Sequence, residues 1–118
     1  MRILIADDSD LLRRALVGLL SADANWNICG EARNGLETLN KARELKPDLL
    51  LVDINMPCMS GLEVSRQLRQ ELPNMKILVM SLNDSAPVLP GVLEAGGDGC
   101  IDKSRLGTDL VAAIRNIS

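Results

Sequence analysis

The chain has 118 residues, 47% hydrophobic and 25% charged, a balance that suits one folded domain with a continuous core and excludes a disordered chain or two folding units. Thirteen Lys and Arg against sixteen Asp and Glu leave a formal charge of −3, and no basic run is long enough to follow a nucleic-acid backbone, so this domain is not expected to bind nucleic acid directly. Histidine, tyrosine and phenylalanine are absent, which excludes a histidine triad, a histidine metal site, a phosphohistidine on this chain and an aromatic base-stacking platform.

The first apolar run, Ile3 to Ala6, has strand length and ends on Asp7 and Asp8. It turns acidic too early for a signal peptide, and no later run nears the roughly 20 apolar residues of a membrane span, so a cytoplasmic protein without membrane partners is expected. Leu12, Ala15, Leu16, Leu19 and Leu20 recur at spacings of three and four, the stripe of an amphipathic helix. Trp26 then anchors the approach to a second strand, Ile28 to Ala32, and Asn34-Gly35 turns the chain into a helix striped by Leu36, Leu39, Ala42 and Leu45.

A third strand, Leu49 to Val52, is apolar without alternation and ends on Asp53. Ser60-Gly61-Leu62-Glu63 has capping-box spacing at the start of a helix striped by Val64, Leu68 and Leu72, which Pro73 stops. The fourth strand, Ile77 to Met80, runs into Ser81. Pro87, Pro90 and Gly91 leave only about Val92 to Ala95 for a fourth helix before Gly96-Gly97, so that helix is expected to be short or late-starting, in a mobile neighbourhood. A brief strand at Cys100-Ile101 leads to Lys103, and a last helix from about Thr108 turns Leu110, Ala113, Ile114 and Ile117 inward.

Strict alternation of strand and helix with right-handed crossovers predicts an α/β fold: a flavodoxin-like (βα)5 three-layer sandwich around one parallel sheet in the order 2-1-3-4-5. The continuous apolar runs place strands one, three and four at its centre. Cys29, Cys58 and Cys100 form no C-x-x-C pair and are odd in number, so they read as small packing residues in a reducing compartment. Met56 and Met59 read as loop packing, and the sequons Asn83-Asp84-Ser85 and Asn116-Ile117-Ser118 as chance.

Ligands in such folds sit beyond the carboxyl ends of the strands, which here deliver Asp7, Asp8, Asp53, Ser81 and Lys103. Three converging carboxylates repel one another unless a cation sits among them, and an all-oxygen site of limited size suits Mg²⁺ or Mn²⁺. A remaining carboxylate oxygen can attack phosphorus while Lys103 and the Ser81 hydroxyl hold phosphoryl oxygens, the parts of an aspartyl-phosphate site. Asp53, ending the most apolar strand, is the expected nucleophile. Taken singly, Asp7-Asp8 could be a helix cap, and Asp53 or Lys103 a solvated charge; their joint placement with Ser81 favours a site.

Over essentially its whole length the chain resembles a response-regulator receiver domain of two-component signalling. Asp7-Asp8 matches the family's acidic pair, Asp53-Ile54-Asn55-Met56-Pro57 its phosphoacceptor segment, Ser81 its hydroxyl and Lys103 its lysine. The resemblance implies Asp8, Asp53 and the backbone carbonyl of Asn55 as metal ligands, with Asp7 holding a metal-bound water. It also implies a partner histidine kinase or phosphotransfer protein as donor, an output surface that switches on phosphorylation, and homodimerisation among the outputs it allows. Leu93 to Gly99 followed by Lys103-Ser104 is similar to the NarL/FixJ group, whose receivers are usually joined to a helix-turn-helix DNA-binding domain, so residues 1–118 are read as the receiver alone. Self-phosphorylation and dephosphorylation are the only chemistry such a domain carries, so it is not an enzyme in the ordinary sense.

Three positions depart from the family pattern. Cys100 stands where most receivers carry an aromatic switch residue, so Ser81 needs another relay. Leu82 replaces a small residue and is expected to narrow access to Asp53. Ser104 replaces a common proline, so no cis peptide is expected there. Leu82, Cys100 and Pro90 together support a rival reading, an interaction module that is not phosphorylated. Two others fit less well: a phosphatase would want an acid where Asn55 stands, and a flavin carrier's phosphate would be repelled by Asp7, Asp8 and Asp10.

Overall fold

A computed structural model describes residues 1–82 and 88–117. Strands β1 (Arg2–Ala6), β2 (Asn27–Ala32), β3 (Leu49–Asp53), β4 (Lys76–Ser81) and β5 (Gly99–Asp102) alternate with helices α1 (Asp10–Leu20), α2 (Gly35–Leu45), α3 (Gly61–Glu71), α4 (Leu89–Glu94) and α5 (Leu106–Ile117). The sheet is parallel in the order β2-β1-β3-β4-β5, with Ile3, Leu49 and Lys76 in register across its centre. The three strands with uninterrupted apolar runs occupy its interior, where both faces need cover.

Alternate residues divide the core in two. Leu4, Ala6, Leu50, Val52, Ile77 and Val79 face α2, α3 and α4 through Leu39, Ala42, Val64, Leu68 and Val92. Ile3, Ile5, Leu49, Leu51, Leu78 and Met80 face α1 and α5 through Leu16, Leu20, Leu106, Leu110 and Ile114. Ala113 and Ile117 lie partly buried against this second layer. Each fully buried Leu or Ile contributes on the order of 1.5–3 kcal/mol of transfer free energy, which makes the sheet a rigid platform for what projects from its edge.

The helix starts are set by side-chain caps. Ser9 accepts from the Leu12 N–H at 3.2 Å, Asn34 from Glu37 at 2.8 Å, and Ser60 from Glu63 at 3.3 Å. Asn34 therefore caps α2 as well as turning the chain. The fourth helix is short, but it begins at Leu89, before the expected Val92, because Pro90 lies in its first turn, where a missing N–H costs little. The fifth begins at Leu106, two residues before the expected Thr108, because a 3₁₀ turn over Lys103–Arg105 leads straight into it. Asp102 caps that turn by accepting from the Ser104 N–H at 3.0 Å.

Among the described residues no peptide bond is cis, which agrees with Ser104 in place of proline. Cys58 is not a buried packing residue: it is exposed, with φ of 73°, where a loop reverses. Cys29 and Cys100 are half-buried. Pro87, the mobility expected around it, the Asn83-Asp84-Ser85 sequon and Ser118 lie outside the described residues. No described helix is long and apolar enough to cross a membrane.

Candidate functional site

The parallel register carries the ends of β1, β3 and β4 to one edge, and the polar residues found there follow from where each apolar run stops. Carboxylate oxygens of Asp7, Asp8 and Asp53 lie within 4.8 Å of one another. Asp7 is fully buried, Asp53 is 3% exposed, and Asp8 opens to solvent. Lys103 reaches in from the end of β5, its Nζ 2.8 Å from Asp7 Oδ2 and 3.1 Å from Asp53 Oδ2. Ser81, buried at the end of β4, completes the edge beside them.

Backbone donors fix the two buried acids. Asp7 Oδ1 accepts from the Ser9 N–H at 2.8 Å, and Asp53 Oδ1 from the Asn55 N–H at 3.2 Å. Asp7 Oδ2 is ion-paired with Lys103 but receives no aligned hydrogen bond, so a fully buried carboxylate oxygen keeps an open lone pair. Burial pushes the Asp53 carboxyl above its ordinary range, and the Lys103 ammonium and Asn55 N–H pull it back only in part. Burial also works against the Lys103 charge, but its close pairing with the carboxylates of Asp7 and Asp53 outweighs it and holds the ammonium's pKa above its usual value.

Three carboxylates thus face one ammonium, and the oxygen set, with the open lone pair of Asp7 among it, fits a small divalent cation. Asn55 follows Asp53 on the exposed loop, with its backbone within reach of the same edge.

The chain matches the family profile described as the response regulator receiver domain over residues 3–115. It belongs to that family. Response regulator GacA of Pseudomonas viridiflava is 36% identical to this receiver domain over 115 residues, 98% of the chain and 54% of the relative. A two-component response regulator of the LuxR family from Aurantimonas superposes with a TM-score of 0.92 at 28% identity, covering 98% of the chain and 83% of that protein. The signal receiver domain of NarL from Mycobacterium tuberculosis gives 0.90 at 30%, covering 98% and 93%. The receiver domain spans about half the length of the curated relatives it matches.

The edge brings together Asp7, Asp8, Asp53, Ser81 and Lys103, as the sequence predicts. Leu82, which follows Ser81 directly, is 67% exposed. Two residues near the site escaped sequence reasoning. Arg13 is buried, donating to the Asp7 carbonyl at 2.6 Å and to Glu31 at 3.2 Å while also pairing with Asp10. It ties α1 and β2 to the Asp7 backbone. Its position in the apolar stripe, between Leu12 and Leu16, was the available signal. Gly61 begins α3 directly over the Asp53 carbonyl, where a Cβ would stand 2.3 Å from that oxygen. Only glycine allows so close an approach, and the Gly61 N–H bonds the Ile54 carbonyl at 2.9 Å.

Proposed function

We propose that this receiver domain accepts a phosphoryl group on Asp53 from the phosphohistidine of a histidine kinase or phosphotransfer protein. The modified state then changes its output surface to control transcription through a DNA-binding output domain. The convergence of Asp7, Asp8 and Asp53 around Lys103 is the observation that carries this reading.

In the transfer, an Asp53 carboxylate oxygen forms a bond to phosphorus as the donor's nitrogen–phosphorus bond breaks, and the leaving imidazole takes up a proton. Lys103 balances charge on the phosphoryl oxygens, and the Ser81 hydroxyl donates to one of them. Asp8, Asp53 and the Asn55 carbonyl would hold Mg²⁺ or Mn²⁺, with Asp7 orienting a coordinated water; the bound cation would supply charge neutralisation of the entering group. Asn55, two residues after Asp53, is an amide and cannot protonate a leaving group as an acid there would, which favours a phosphorylated state that persists over rapid hydrolysis.

Incubation with a small acyl phosphate and Mg²⁺, followed by intact mass measurement, tests this. The expected result is one phosphoryl group per chain, lost when the metal is chelated. No uptake would favour the interaction module that is not phosphorylated.

A further inference from the structure

Arg13 lies in the apolar stripe of α1 with its side chain only 9% exposed. Replacing a buried ion-paired residue with an apolar one of similar volume is often neutral for stability, so packing alone does not call for arginine between Leu12 and Leu16. Its contacts converge on the loop that carries the acidic pair. Nη1 donates to the Asp7 carbonyl at 2.6 Å, Nε donates to Glu31 near the end of β2 at 3.2 Å, and Nη2 pairs with Asp10. The rest of Asp7 is held as well: its N–H donates to the Ala32 carbonyl at 3.0 Å, its Oδ1 accepts from Ser9 and its Oδ2 pairs with Lys103. Asp8 is held differently. It is exposed, and among the described residues none hydrogen-bonds or ion-pairs with its carboxylate, yet one of its oxygens lies in the cluster with Asp7 and Asp53. Its place there is set through the backbone that leads into it.

We propose that Arg13 is a positioning residue for cation binding: its grip on the Asp7 carbonyl sets the orientation from which Asp8 meets the ion. This rests on the reading of Asp7, Asp8 and Asp53 as the cation site. The Asp7 carbonyl and the Asp8 N–H belong to one planar peptide, so holding the oxygen fixes the plane and leaves Asp8 only the rotations beyond it. A guanidinium does this where an ammonium cannot, because its planar fork offers donors in fixed directions and meets the carbonyl, Glu31 and Asp10 at once. Glu31 on β2 and Asp10 on α1 brace it from two elements. The sign of the effect is distinctive. A positive charge beside the site repels a cation, so removing Arg13 for its charge alone would tighten binding, whereas removing a positioning group weakens it.

Mn²⁺ is the probe, its dissociation constant read from the electron paramagnetic resonance of the free ion at a temperature where circular dichroism shows each variant folded. Arg13→Gln is expected to bind Mn²⁺ about 10-fold more weakly than the wild type, the scale of losing a group that orients a metal ligand. Arg13→Lys, which keeps the charge but not the fork, should also bind more weakly, by a smaller factor. Two controls separate position from charge and from stability. Arg14→Gln removes the same charge from the exposed side of α1, and Arg69→Ala strips hydrogen bonds from the opposite ends of the strands. Neither should weaken binding. No Mn²⁺ binding by the wild type overturns the cation reading and this one together. Wild-type binding that either Arg13 variant matches or exceeds, or that Arg14→Gln or Arg69→Ala loses to the same extent, overturns this one alone.

Discussion

The two edges of the sheet are built from similar residues and settled in opposite ways. At the amino-terminal edge, Arg69 donates to the carbonyls of Gly96 (2.7 Å), Pro73 (2.9 Å) and Met75 (2.6 Å) and pairs with Asp98 at 2.8 Å. Asp98 in turn accepts from the Ile77 N–H at 2.8 Å, and Asp48 accepts from the Arg2 N–H at 2.7 Å. These polar groups stitch α3, the start of β4 and the approach to β5 together. At the carboxyl-terminal edge three carboxylates share one ammonium, a buried oxygen lacks an aligned donor, and burial raises the Asp53 carboxyl. One edge is closed by its own partners; the other keeps more negative charge than its one ammonium balances. Stability and reactivity have been assigned to opposite ends of the same strands.

The sharpest way to test that division is Asp53→Asn. It should abolish phosphoryl uptake altogether while raising the Tm of the metal-free domain by a few degrees, since a charge that burial disfavours is removed. The pH dependence follows from the same shift. A carboxyl whose folded pKa lies above its ordinary 3.8 stabilises the fold when protonated. That contribution is complete below 3.8 and is lost as pH rises through the folded value. In chelator, the wild type should therefore lose stability relative to Asp53→Asn between acid and neutral pH, and Mg²⁺ should reverse the loss. Parallel melting curves across that range would contradict the assignment.

Gly61→Ala should cost about 1–3 kcal/mol, measured by urea unfolding, and slow uptake as well, because the new Cβ must displace the Asp53 carbonyl. Arg69→Ala should cost roughly 2 kcal/mol through its lost hydrogen bonds and yet leave uptake on Asp53 unchanged. A large loss of uptake in Arg69→Ala would show the edges to be coupled. Smallest of all, Glu71→Gln should hardly move the melting transition: Arg43 meets Glu71 at 2.7 Å, but both side chains are more than two-fifths exposed.

Much of this was legible in the sequence because apolar runs in a parallel sheet are continuous where both faces are covered, and the residue that ends each run lands on the active edge. Asp7, Asp53 and Ser81 were placed by that logic alone, and the Ser60 cap by its spacing to Glu63. What stayed hidden depended on contacts between distant segments. Arg13 sits in a helical stripe as a charged residue, and only the folded chain shows the Asp7 carbonyl and Glu31 that receive it. Gly61 read as part of a capping box, whereas its close approach to the Asp53 carbonyl depends on how α3 returns across the strand end. The exposure of Cys58 is a backbone outcome that side-chain type does not encode: a small apolar residue suggested burial.

The most direct measurement locates the acyl phosphate itself. After treatment with a small acyl phosphate and Mg²⁺, borohydride reduction converts a phosphorylated aspartate to homoserine, and peptide mapping identifies the position. The expected result is homoserine at residue 53 alone, present with Mg²⁺ and absent in chelator. Homoserine at residue 7 or 8, or labelling that does not depend on the metal, would contradict the assignment of Asp53 as the acceptor within a cation-binding cluster.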